Sequence, residues 1–417
     1  MSLKLFFSLM LLLSILFAND ATIEVIKKVE TLPSIALEDA SRDYDTTFRL
    51  AFFKTLVADL NVLSLFNVDK HYNRISFDDS VIVANKDMYY VLRYKLSQGD
   101  KDSFNVEIKL ISHDKNIFLK KYEIRNKNIS VFVAHSIAYD INQFMGAPSI
   151  DWIKKRVLFS RVVASKKSEI VLSDYTLEYQ HVVLKGGLNL FPKWANKNQT
   201  AFYYTSLGGE KPLLKYLDTT TGKSTTLLSS DGMLICSDVS GDDKMLLLTM
   251  APEGQPDVYI YNIATKQTKK ITAYGGIDVN GQFIDNDTVA FISNRLGYPN
   301  VFSQKIGSSS VEQMVYYGKS NSACSAHGEY IVYKSRESSN TFSDNTFNLH
   351  LISSKTDFVR RLTATGVNEF PRFSSDGDAI LFIKTYKSQS ALGVMRLSYN
   401  KSYLFPLKEG KIQSIDW

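Results

Sequence analysis

Cysteine is scarce: Cys236 and Cys324 are the only two in 417 residues, so no disulfide framework can organise the fold. They are read as two buried free thiols in repeats too far apart to bridge. The histidines (His71, His113, His135, His181, His327 and His350) never fall three or four apart, which removes the easiest metal spacing. The chain contains no G-x-S-x-G elbow, no H-E-x-x-H and no G-x-G-x-x-G. Gly318-Lys319-Ser320 ends like a phosphate loop, but Gln313 stands where its first glycine belongs. No cluster of lysine and arginine appears, and a net charge of +6 spread along the chain fits a solvated surface better than a nucleic-acid groove. Together these absences take away the sequence support for catalysis, for a cofactor or metal, and for nucleic acid as a partner.

Long apolar runs are also missing. Leu5–Phe17 is the longest and is too short for a comfortable membrane span. With Lys4 before it and Ala18 after it, it reads as a secretion signal over residues 1–18. No cysteine follows to carry a lipid, so an exported, soluble, monomeric protein is expected.

What is present is a repeat. Asn368–Leu397 reads as strand, tight turn and two further strands, with Asp376 and Gly377 supplying the turn. Apolar residues before comparable turns recur as Trp194, Val239, Phe283, Cys324, Phe373 and Trp417, at intervals of 45, 44, 41, 49 and 44 residues. Short strands at that period are the signature of propeller blades. Trp417 ends a strand (Ile412–Trp417) with nothing after it, whereas Arg156–Val163, Glu169–Ser173 and Tyr179–Leu184 lack an inner strand. Pairing the two would close the ring and cover two sheet edges. Turn carboxylates such as Asp218 and Asp376 are assigned to turn hydrogen bonding rather than to acid–base work.

Upstream, Ser34–Leu37 reads as a buried strand and Asp45–Leu60 as a helix with Asp45 and Thr46 as cap candidates. Phe66–Asp69 and Val81–Ala84 read as short strands, and Tyr89–Ser97, Phe104–Ser112 and Ile117–Ile124 as longer ones. Ser130–Phe144 is a second amphipathic helix, with His135 a core or interface residue. The expected architecture is an α/β N-terminal domain (residues 19–148) followed by an all-β six-bladed propeller (149–417) closed by the C-terminal strand.

Four stretches carry a resemblance: Leu32-Pro33-Ser34-Ile35-Ala36-Leu37, Thr55–Phe66, Ala134-His135-Ser136-Ile137-Ala138-Tyr139-Asp140, and the blade signature Phe370-Pro371-Arg372-Phe373-Ser374-Ser375-Asp376-Gly377. In combination they resemble the TolB family of the Tol–Pal envelope system, over essentially the whole chain after the signal. Family blades usually read P-x-W-S-P-D-G, and only the Phe373 blade stays near that. The resemblance implies a periplasmic adaptor, not an enzyme and without a cofactor, that supports outer-membrane integrity and constriction during division. It implies that the propeller rim holds Pal, the peptidoglycan-associated lipoprotein, and that the segment Asp20, Ala21, Thr22, Ile23, Glu24, Val25 is handed to TolA of the inner membrane. Aligned family positions affecting Pal binding fall on Met233, Cys236 and Val279. Loops leading into the inner strands would gather Asn189, Asp278, Asn280, Asn321, Asn368 and Glu369 as a polar collar around Met233 and Leu234. The alternatives are an exported hydrolase or lactonase using the axial cavity, which would need a metal or an activated nucleophile, and a bare structural ring with an unrelated partner.

Overall fold

Ser34–Asp39, buried at every position after Ser34, forms strand β1 in the interior of the first sheet. The computed structural model describes residues 32–84, 87–100, 103–337, 346–386 and 389–417. The expected signal (residues 1–18) and Asp20–Val25 lie outside the described residues. Helix α1 (Thr46–Leu63) starts where the sequence places it, with Asp45 accepting from the Phe48 amide at 2.7 Å. It runs past Leu60 because Val62 and Leu63 are also buried, and stops at Ser64, whose φ of 62° is left-handed. Strands β2 (Asn67–Val68), β3 (Asn73–Arg74), β4 (Tyr90–Gln98), β5 (Phe104–Ser112) and β6 (Lys115–Ile124) complete a sheet of order β2-β1-β4-β5-β6, with β3 also on β1. Helix α2 (Ser130–Phe144) packs on α1.

Val81–Ala84, expected as a strand, pairs with no strand among the described residues. Side chains take the place of the ladder. Buried Glu38 accepts from the amides of Val83 (2.7 Å) and Ala84 (3.0 Å). Buried Arg93 pairs with Glu38 at 2.8 Å and donates to the carbonyls of Val81 (2.8 Å), Ser76 (3.3 Å) and Phe77 (3.3 Å). Ile82 can then pack on Ala36, Val91 and Ile111, so this strap covers part of the sheet.

From Val157 onward the strands fall into sets of four. Asn189–Trp194, Leu234–Val239 and Asp278–Phe283 each open a four-stranded antiparallel sheet. Lys319–His327 and Val367–Phe373 open two further sets, linked by one parallel pair, Phe347 with Val367. Lys411–Asp416 pairs with Val157–Ala164, which continues to Lys167–Ser173 and Gln180–Lys185 as the closing blade. Each of these inner strands lies beside the next, and Lys411–Asp416 lies beside Asn189–Trp194, so the ring closes through the C-terminal strand. Trp417 anchors it: the indole N–H donates to the Phe373 carbonyl at 2.9 Å, and the ring packs 5.3 Å from Trp152.

Register corrects one anchor. Ala326, not Cys324, faces Ile331 as Phe373 faces Ile380 and Phe283 faces Val289. The turn carboxylates behave as read. Asp376 Oδ1 accepts from Ser374 Oγ at 2.6 Å beside Gly377 (φ 76°), and Asp218 Oδ1 accepts from the amides of Thr220 and Thr221 at 2.8 and 2.9 Å.

The N-terminal layer and the ring share one core. Leu56, Ile137, Trp152, Tyr175, Leu381, Val394 and Ile415 belong to a single apolar cluster, and Pro33–Trp417 is one compact body. Buried Arg396 also donates to the carbonyls of Val62 (3.3 Å) and Leu63 (3.2 Å), placing a cation at the C-terminus of α1, where the helix dipole favours it. Packing inside the blades is close. A Cβ at Gly393 would meet Phe382 Cζ at 2.2 Å. Gly393→Ala should therefore destabilise the protein by about 1–3 kcal/mol, read from urea unfolding; a neutral result would mean Phe382 moves freely.

Candidate partner-binding face

Four inner strands carry the same irregularity. A β-bulge lies between Leu190 and Lys193, Val279 and Gln282, Ser322 and Ser325, and Glu369 and Arg372. Within these bulges Phe191, Asn280, Ala323 and Phe370 have φ of 55°, 56°, 51° and 49°. A bulge re-aims its strand and frees amides from the ladder. Neighbouring inner elements accept them: Ser414 Oγ takes Phe191 N (3.0 Å) and Thr249 Oγ1 takes Asn280 N (3.0 Å). Asp416 takes Trp194 N (2.8 Å), Asp238 takes Phe283 N (2.9 Å) and Ser325 takes Phe373 N (3.2 Å).

The last three acceptors belong to a set that sequence reasoning missed. The residue just before each corrected anchor is polar: Lys193, Asp238, Gln282, Ser325, Arg372 and Asp416. With the anchor misplaced on Cys324, Ala323 broke that pattern and hid it. Lys193 Nζ lies 3.1 Å from both Asp238 and Asp416, Arg372 Nε is 3.8 Å from Asp416, and Gln282 donates to the Ser237 carbonyl at 2.7 Å. Burial alone would depress the Lys193 ammonium, but Asp416 and Asp238 outweigh it and raise its proton affinity. This ion-paired waist separates two openings, and Arg372 borders both.

Where the inner strands end, a cleft of ≈ 860 Å³ is bordered by Asp242, Asp243, Asp285, Asp287, Trp152 and Trp417. The N-terminal layer approaches on this side, through Arg396 and through Tyr403, whose hydroxyl is 2.8 Å from Ser64 Oγ. Where the inner strands begin, a smaller and mainly apolar cavity of ≈ 230 Å³ gathers Met233, Cys236, Val279, Phe191, Pro192 and Phe370 over Arg372, with Asn280 at its wall.

The structure therefore brings Met233, Cys236, Val279 and Asn280 together. Met233 is 45% exposed, while Cys236 is buried with its thiol pushed upward by that burial. Leu234 is buried behind them. The expected collar is placed differently. Asp278 is fully buried against Arg295 at 3.1 Å. Asn321 is buried and donates to Asn300 Oδ1 and the Tyr317 carbonyl, both at 3.0 Å. Asn368 is buried and donates to the carbonyls of Phe347 (2.9 Å) and Thr365 (3.0 Å), and Asn189 donates to the Gly186 carbonyl at 2.6 Å. These side chains fasten the loops; they do not line the surface. Glu369 is half-buried and paired with Lys334 at 3.1 Å. The exposed side chains on this side include the apolar and aromatic Leu207, Tyr274, Ile277, Leu296, Tyr316 and Tyr317, the last two each 72% exposed, beside charged ones such as the Lys211–Asp231 pair. The sequence signal was a hydrophobic residue inside a polar loop just before or after a strand.

The profile of the TolB beta propeller domain matches residues 152–417. The chain belongs to the TolB family. Among its relatives, the Tol-Pal system protein TolB of Wolinella succinogenes is 48% identical over 414 residues, 97% of this chain and 98% of that one. Those of Helicobacter hepaticus and Campylobacter jejuni (strain RM1221) are 40% identical (98% of each chain) and 44% identical (96% of each chain). The crystal structure of TolB from Acinetobacter baumannii shares the fold, with a TM-score of 0.73 at 19% identity, covering 92% of this chain and 96% of that one. As a TolB-family member the chain is a non-enzymatic component of the Tol–Pal system of the cell envelope. None of its described helices is long and apolar enough to cross a membrane.

Proposed function

We propose that this TolB-family chain is a periplasmic adaptor that holds Pal on the face where the inner strands begin and offers Asp20–Val25 to TolA, supporting outer-membrane integrity and constriction during division. One observation carries the reading. Met233, Cys236, Val279 and Asn280 converge on a mainly apolar cavity, on the side of the ring that the described N-terminal layer leaves uncovered. Apolar and aromatic side chains gathered on one face, with charged residues such as Lys211 and Asp231 beside them, are the composition of a specific protein interface, where a few well-packed anchors supply most of the binding energy. The waist behind the cavity, held by Lys193, Asp238 and Asp416, gives it a stiff floor.

Site-specific photo-crosslinking in living cells tests the assignment. A photoreactive residue at Met233 should capture Pal, and one at Asp242, on the opposite side, should not. Capture from Asp242 alone would place the interface on the wrong side. The two partners should also separate genetically. Deleting Asp20–Val25 should abolish TolA capture while Pal capture persists, and loss of both would defeat that division of labour.

A further inference from the structure

A buried histidine joins the two parts of the molecule. Asp59 comes from α1, His135 from α2, and Asp174 from the loop after Lys167–Ser173 of the closing blade. All three side chains have 0% exposure. His135 Nδ1 lies 2.8 and 2.9 Å from the two oxygens of Asp59, and Nε2 lies 3.2 Å from Asp174 Oδ2. Carboxylates only accept, and a neutral imidazole has a single N–H. With both carboxylates ionised, both contacts are hydrogen bonds only when the ring is an imidazolium; burial raises the proton affinity of Asp59, and the His135 cation opposes that rise.

The surroundings hold the carboxylates for that task. The Tyr175 hydroxyl donates to Asp59. The Thr176 amide (2.7 Å) and hydroxyl, with the Tyr179 amide (2.8 Å), donate to Asp174. The groups facing His135 are thus Asp59 from α1, and Asp174 and Tyr175 from the closing blade, with Phe132 of its own helix edge-on at 5.7 Å. Tyr403 is the next ionisable group, beyond Tyr175.

We propose that His135 is a charge-operated clamp: as an imidazolium it ties both helices of the N-terminal layer to the closing blade, and on losing its proton it can satisfy only one carboxylate and the seam loosens. Burial by itself would strip the proton, but Asp59 and Asp174 more than compensate and raise the group from 6.5 to about 9. The folded value exceeds the unfolded one, so the clamp contributes fully below the unfolded value and fades as pH rises through about 9. Tyr175 is pushed well above its ordinary value by burial, so it keeps its proton in that window.

The test uses the whole chain after the signal. Pulse hydrogen exchange, corrected for intrinsic rates, follows amides of α1, α2 and the loop at Asp174, while the imidazole Hε1 resonance of His135 reports its charge. Seam protection should fall about tenfold or more between about pH 7 and about pH 10, in step with the Hε1 shift. His135→Gln should show reduced protection at neutral pH and no alkaline step. Should that variant fail to fold, Asp174→Asn decides: losing one carboxylate should lower the Hε1 midpoint, and the exchange step should follow. A wild-type midpoint below about pH 7, or a seam whose protection ignores the titration, would overturn the clamp.

Discussion

Met233→Arg should weaken Pal binding by about 100-fold or more while shifting stability by no more than about 0.5 kcal/mol. The two effects separate because the methionine is half-exposed at the cavity mouth and holds nothing together. Methionine suits a contact that must adapt to its partner, since its thioether stem is flexible and polarisable. Arginine would place a second guanidinium at a cavity already floored by Arg372, in a site that association dries out. An unpaired charge desolvated at the centre of an interface is among the costliest changes available to a surface residue. Met233→Ala removes contact without adding charge and should cost about tenfold. Calorimetry or surface-based binding with purified Pal checks both. Affinity for the arginine variant within about threefold of wild type would remove Met233 from the interface. Asp278→Ala and Asn368→Ala act as contrasts, because their side chains are buried with internal partners and should cost stability.

Arg93→Ala should destabilise the protein by about 3–5 kcal/mol, the usual result of breaking a buried pair by removing one member. Glu38 would be left as a buried carboxylate without its cation, and the carbonyls of Ser76, Phe77 and Val81 would lose their donor. The strap would then peel from the sheet and expose Ile82 and Ala84. Urea unfolding measures the loss, and hydrogen exchange over residues 76–84 locates it. The double variant Arg93→Met with Glu38→Leu isolates the charge from the shape. It should recover part of the loss, though not all, because the amides of Val83 and Ala84 still need acceptors. A single variant of wild-type stability would mean that packing of Ile82 alone holds the strap.

Several features were legible before any coordinates. Asp45 read as a helix cap because a carboxylate beside an amphipathic run has an obvious partner three residues on. The C-terminal strand could be assigned to the closing blade because a lone inner strand and three strands without one complete each other. Val81–Ala84 was misread for an equally physical reason. Its run of β-branched residues is that of a strand, but its partners are Glu38 and Arg93, far away in sequence and not a ladder.

The candidate face divides along the same line. Met233 could be placed on the rim from the repeat, since loops before inner strands must share one side of a ring. The collar could not be weighed, because exposure of an asparagine depends on which carbonyls its loop folds back to meet, and Asn321 and Asn368 found theirs inside.

What the sequence by itself determined is the repeat, its closure and the side on which loops gather, because those follow from periodicity and from which strands lack partners. Only the tertiary structure decided the ion-paired waist of Lys193, Asp238, Arg372 and Asp416, and the seam at His135. Both are charged groups from distant segments that can stay buried only in one another's company, and distance along the chain says nothing about company in space.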